Sequence, residues 1–178
     1  MKLIITGVTG VAGSETVRQA LLDSRITRVT AISRRSISLQ HEKLRVIVIK
    51  DFLDYSPIIN DLKDHDACLW CLGVSQNQVG SDEEYHTITY EYAMAAAEAL
   101  LSVNPNIIFG FVSGMGADST EKSKTLFARV KGKTENALPY YKYQTMNLKI
   151  FVEFELHLYH SCKTVFGIYE STTPYRSQ

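Results

Sequence analysis

Short, nearly unbroken apolar runs alternate along the chain with stretches in which apolar residues return every three or four positions. The runs cover residues 3–6, 29–33, 46–49, 67–72 and 107–113, the pattern of strands buried on both faces. Between them, residues 14–22 place Val17, Leu21 and Leu22 on one helical stripe. Residues 83–103 are rich in alanine and leucine and stop before Asn104-Pro105, and residues 121–138 predict another helix, halted at Pro139. Residues 34–45 are too polar and irregular for a helix and read as a loop. Such alternation predicts an α/β architecture, a doubly wound and mainly parallel sheet with helices on both faces. Further on the pattern changes. Across residues 148–158, Lys149, Phe151, Glu153, Glu155 and His157 alternate with Ile150, Val152, Phe154, Leu156 and Leu158, which suits a half-exposed strand. A further strand is predicted over residues 164–169, making the C-terminal tail strand-rich.

The first apolar run leads directly into Gly7-Val8-Thr9-Gly10-Val11-Ala12-Gly13. A strand that turns through glycines into a helix presents backbone N–H groups to a dinucleotide pyrophosphate. Gly7 suits the tight turn, Gly10 allows phosphate to approach the backbone, and Gly13 lets helix and strand pack closely. With the second strand the unit reads as a Rossmann-type βαβ with a nucleotide site.

Length and composition narrow the possibilities. A chain of 178 residues suffices for one domain with a sizeable core. Its 19 basic and 19 acidic residues cancel, so no global field favours nucleic acid or an anionic membrane. No apolar run reaches the roughly 18 residues of a membrane span. A strand beginning near residue 2 leaves no room for a cleavable leader, and Cys68, Cys71 and Cys162 are an odd number. Together these predict reduced thiols and a cytoplasmic location, or a nuclear one.

Ligands of doubly wound sheets lie beyond the carboxyl ends of the strands. At the end of the second strand, where an acidic residue would meet a free ribose 2′-hydroxyl, stands Ser33-Arg34-Arg35. Paired guanidiniums favour a 2′-phosphate, hence NADP(H) over NAD(H). A solvated loop pair is the alternative. Asp51-Phe52 follows the third strand, where Asp51 either meets the adenine amino group or shapes the next turn. Cys71-Leu72-Gly73 ends the fourth strand beside the expected cofactor path. Cys68 and Cys71 point to opposite faces of a strand, which excludes a disulfide and a thioredoxin-like role. Glu155, His157, His160 and Cys162 match no standard zinc spacing, so no metal site is expected.

Val112-Ser113-Gly114-Met115-Gly116-Ala117-Asp118 and Phe127-Ala128-Arg129-Val130-Lys131-Gly132-Lys133-Thr134-Glu135 complete a pattern with the motifs above. Together they resemble the atypical short-chain dehydrogenase/reductases, in particular the Tat-interacting-protein-like subgroup, from residue 1 to about residue 143. The resemblance implies an NADP(H)-binding Rossmann domain of oxidoreductase type over residues 1–144, acting on an unidentified carbonyl or alcohol. It implies that Lys131 holds the nicotinamide ribose, and that the serine that orients a carbonyl is either Ser113 or the one whose position Gly114 occupies. It also implies a Tyr four residues before Lys131 as general acid and base, a role that needs a nearby cation to lower the phenol pKa.

Here that position is Phe127, which has no hydroxyl, and Gly114 stands where relatives commonly carry a second serine. Tyr159 and Lys163 repeat the Tyr-x-x-x-Lys letters, but in a strand-like segment where they would lie about 13 Å apart. Residues 145–178 match nothing in the family and are expected to pack as a divergent tail on the same domain. The substrate region is not recognisable. Catalysis by a complete site therefore competes with two other roles: a cofactor-binding module read by a protein partner, and a truncated product. In related proteins the two long helices commonly form a dimer interface, so a homodimer is also expected.

Overall fold

The computed structural model describes residues 1–138 and the short strand Lys149–Phe151. Six strands form one sheet: β1 (Lys2–Thr6), β2 (Arg28–Ser33), β3 (Leu44–Val48), β4 (Ala67–Trp70), β5 (Ile108–Val112) and β6 (Lys149–Phe151). Their order is β3-β2-β1-β4-β5-β6, with every neighbouring pair parallel. This is the doubly wound order in which the chain starts at the centre, builds outwards, then returns to extend the other side. The expected fold class is met, and β6 lies within the strand predicted at the start of the tail.

Alternation along β1 divides the core in two. Leu3 and Ile5 join Val17, Ala20 and Leu21 of α1 (Val11–Leu22) on one face. Ile4 faces the other way, towards Trp70, Phe109 and Leu100. That second face is covered by a 3₁₀ segment, Ser56–Leu62, and by α3 (Tyr92–Val103), whose Ala93, Ala96 and Ala97 let it lie close on the strands. Cys68 belongs to the second face and Cys71 packs against the first, as strand alternation requires. Burial pushes the thiol pKa of both upward.

Two predicted helices differ in detail. The long one starts at Asp82, with Ser81 Oγ accepting from the Glu84 N–H at 3.1 Å. It runs as α2 (Asp82–His86), a π-helical turn (Thr87–Glu91) and α3. The last, α4 (Leu126–Ala137), begins five residues later than its periodicity suggested. Asp118 explains the delay. Its carboxylate accepts from the backbone N–H groups of Thr120, Lys122 and Ser123 at 3.0, 3.0 and 2.7 Å, and Glu121 takes φ +59°. These bonds hold residues 118–123 in a closed turn that competes with helix. The predicted strand over residues 164–169, the Tyr159/Lys163 pair and the candidate metal ligands of the tail lie outside the described residues.

Candidate functional site

At the carboxyl end of β1 the chain reverses through Gly7 at φ +65°, a backbone conformation suited to glycine. A Cβ on Gly7 would stand 2.4 Å from the Cys71 carbonyl oxygen, and one on Gly13 would stand 2.2 Å from the Gly7 carbonyl oxygen. Both glycines are therefore required by backbone packing alone. Gly10 differs: its nearest neighbour to an added Cβ is the Gly7 oxygen at 3.3 Å, and the remaining space is open. The Gly10 N–H donates to the Gly7 carbonyl at 2.9 Å, and its own carbonyl accepts from Ser14 at 2.9 Å. Gly10 caps α1, so Val11, Ala12 and Gly13 form the first turn, whose N–H groups have no carbonyl within the helix to bond. Those donors and the positive end of the helix dipole make a surface that attracts an anion.

Beside this turn lies a cleft of about 260 Å³ lined by Gly7, Val8, Thr9, Ile32, Ser33, Arg34, Arg35, Phe52 and Leu72. The structure thus gathers the glycine turn, the basic pair and the ends of β1, β2 and β4. Leu72 is tied to β1 by its N–H donating to Thr6 Oγ1 at 3.2 Å, and Ser33 Oγ accepts from the Arg35 N–H at 3.4 Å. Phe52 is fully buried and forms the floor, stacked on Tyr92 with ring centroids 5.7 Å apart. Asp51 is not in the lining. Its carboxylate accepts from the Leu53 N–H at 2.8 Å, so of its two expected roles the structure displays the turn. The thiol of Cys71 lies 3.8 Å from Thr16 Oγ1, and neither residue is in the lining of the cleft.

The second group of predicted residues collects beyond β4 and β5. Lys131 is only 8% exposed. Its Nζ donates to the Val112 carbonyl at 3.0 Å and sits 4.5 Å above the Phe111 ring. It also lies 4.0 Å from the place of a Cβ on Gly73, so Lys131 reaches the end of β4 as well. Burial lowers its pKa to about 8, with Glu135 acting in the opposite direction. Ser113 Oγ donates to Glu135 Oε1. The sequence reading missed Glu135, although its position one helical turn after Lys131 on α4 was the available signal.

Phe127 occupies the hydroxyl-bearing position of the resemblance with an apolar ring, packed with Tyr85, Leu126 and Val130. The ring leans on Gly114, where a Cβ would approach its tip to 2.6 Å. Serine cannot be placed at 114 unless the ring moves. Close approach also fixes α4 itself, since a Cβ on Gly132 would lie 1.9 Å from the Asp118 carbonyl oxygen. Among the described residues no cluster of His, Cys, Asp and Glu is arranged to hold a metal ion, and no helix is long and apolar enough to cross a membrane.

No protein-family model matches the chain. Protein FMP52, mitochondrial, of Candida albicans is 29% identical over 139 residues, 76% of this chain and 59% of that protein. Protein HTATIP2 of Rattus norvegicus is 24% identical over 151 residues, 82% of this chain and 60% of that protein. The chain spans less than two thirds of the length of these curated relatives. Among solved structures, a short-chain dehydrogenase/reductase superfamily protein from Agrobacterium tumefaciens with bound NAD superposes with a TM-score of 0.67 at 13% identity, covering 84% of this chain and 48% of that one.

The resemblance to atypical short-chain dehydrogenase/reductases and their Tat-interacting-protein-like subgroup is thereby borne out, as is the Rossmann fold. The cytoplasmic or nuclear expectation is corrected, because the FMP52 relatives are named as mitochondrial proteins. An odd number of cysteines bears on redox conditions and does not distinguish one reducing compartment from another.

Proposed function

We propose that this chain is an NADP(H)-binding domain of short-chain dehydrogenase/reductase type whose proton-transfer site is impaired. The cleft that joins the glycine turn to Arg34 and Arg35 carries the reading. Pyrophosphate would lie on the N–H groups of Val11, Ala12 and Gly13, and the adenosine would rest against Phe52 and Leu72. The two exposed guanidiniums would grip a 2′-phosphate with paired donors. Gly10 supports the same reading, since the space beside it is kept open without any protein atom that needs it.

Structural neighbours include a dehydrogenase and an epimerase, and hydride transfer between a nicotinamide and a carbonyl or alcohol is the chemistry this reading assigns to a complete site of the kind. In this chain Phe127 has no proton to exchange, and its ring crowds any side chain at 114. These two features favour cofactor occupancy over turnover, with the bound domain available to a substrate or a protein partner. Within this proposal residues 1–144 are the cofactor domain and α3 and α4 would be the elements facing a second copy in a homodimer, while the names of the FMP52 relatives favour a mitochondrial setting.

A thermal melt with saturating NADPH, with NADH and without ligand tests the proposal. Ligand at 100 times its Kd stabilises a protein by about 2.7 kcal/mol, a shift of several degrees for this size. An NADPH-selective shift that disappears in Arg34→Ala/Arg35→Ala is the expected result. Equal shifts with both cofactors refute the 2′-phosphate assignment, and a cooperative melt unmoved by either refutes the dinucleotide site.

A further inference from the structure

Ser113 has one hydroxyl proton, and that proton points at Glu135. A carboxylate only accepts, so the direction of this bond is fixed and Ser113 turns its oxygen lone pairs, not its O–H, to any ligand. One turn earlier on α4, Lys131 donates one of its three N–H groups to the Val112 carbonyl. Its Nζ stands over the Phe111 ring and 4.0 Å from the place of a Cβ on Gly73, with N–H groups beyond the one given to Val112. An acceptor at Ser113 and a donor at Lys131 therefore stand together at this edge, while Phe127 and Gly114 add no side-chain polar atom. A lone carbonyl would use only the donor. A sugar diol uses both, because each of its hydroxyls gives one hydrogen bond and receives others.

We propose that Ser113, held by Glu135 as a positioning residue, accepts a hydrogen bond from a hydroxyl of the nicotinamide ribose, beside the contact of Lys131. The inference rests on the dinucleotide reading above. It changes the part assigned to Ser113 by resemblance, from orienting a substrate carbonyl to anchoring the cofactor. It also gives Glu135 a function that neither its charge nor its helical position alone would suggest.

The experiment measures the affinity of the full chain for two probes by titration calorimetry. NADPH contains the nicotinamide ribose, whereas 2′,5′-ADP carries the adenosine and 2′-phosphate without it. Ser113→Ala and Glu135→Ala are each expected to weaken NADPH about three- to tenfold and to leave 2′,5′-ADP within a factor of two. If Glu135 acts through Ser113, its removal costs much less in the Ser113→Ala background than alone. Fully additive losses overturn the positioning role. Unchanged NADPH affinity in Ser113→Ala, or equal losses for both probes, overturns the ribose contact. Failure of the unsubstituted chain to bind either probe refutes the dinucleotide reading itself. If NADH proves to be the cofactor, NADH and ADP form the equivalent pair.

Discussion

Glycine is demanded at both ends of the proposed cofactor path, but by different kinds of neighbour. On the adenosine side Gly7 and Gly13 face carbonyl oxygens of the main chain. On the nicotinamide side Gly114 faces the tip of the Phe127 ring. Main-chain atoms inside a parallel sheet and a helix turn cannot retreat without breaking their hydrogen bonds, whereas an aromatic side chain can rotate. The first end is fixed by the fold, and the second is set by one residue choice. A domain built this way can keep its nucleotide cradle while its reactive end changes.

The most severe challenge to this contrast is Gly13→Val. Overpacking against the Gly7 carbonyl should destabilise the domain by about 4 kcal/mol, read as loss of a cooperative melt at room temperature in urea titration. Gly10→Val comes next and should separate fold from ligand. Its melt should stay within about 1 kcal/mol of the parent, while NADPH affinity falls at least about a hundredfold because the side chain enters the pyrophosphate path.

Lys131 sharpens the comparison through pH. Its pKa is about 8 in the folded chain against an ordinary 10.5. Between these values the unfolded chain retains a proton that the folded chain has released, so this residue makes stability rise with pH across the window. Below pH 8 both states are protonated and the cost of burying the charge is present in full. Lys131→Met should therefore gain about 2 kcal/mol at pH 7 and lose that rise, as chemical denaturation at pH 7 and pH 10 would reveal. A variant that is less stable at pH 7 would mean that the contacts to Val112 and Phe111 outweigh desolvation.

The mildest effects belong to the adjustable end. Gly114→Ser should cost about 1–2 kcal/mol through displacement of the ring, and the cost should shrink when combined with Phe127→Ala. Phe127→Tyr alone should leave NADPH affinity within about fivefold, since a single peripheral hydrogen bond is worth no more than about 1 kcal/mol. A larger change in that titration would tie residue 127 to cofactor binding after all.

Much of this was legible in the sequence because it is local. The glycine turn, the Arg34/Arg35 pair and the alternation of β1 are each encoded within a few consecutive residues. The opposed cysteines follow from strand geometry alone. What the sequence concealed depends on partners distant along the chain. Glu135 gains its part only when α4 brings it to Ser113, and Asp118 suppresses helix by collecting N–H groups that periodicity ignores. Asp51 was left between two uses, and the structure realises the turn because its carboxylate finds the Leu53 N–H first. Compartment was beyond a reading of composition, which reports redox conditions and not an address.

The residues lining the cleft beside the glycine turn all lie between Gly7 and Leu72, and β1 pairs there with β2 and β4. Ser113, Phe127, Lys131 and Glu135 enter only later in the chain. During synthesis the earlier segment emerges from the ribosome first, and at about 5–20 residues per second the later one follows after a delay of several seconds. The nucleotide cradle thus has an opportunity to assemble, and to capture its ligand, before the nicotinamide end has been translated.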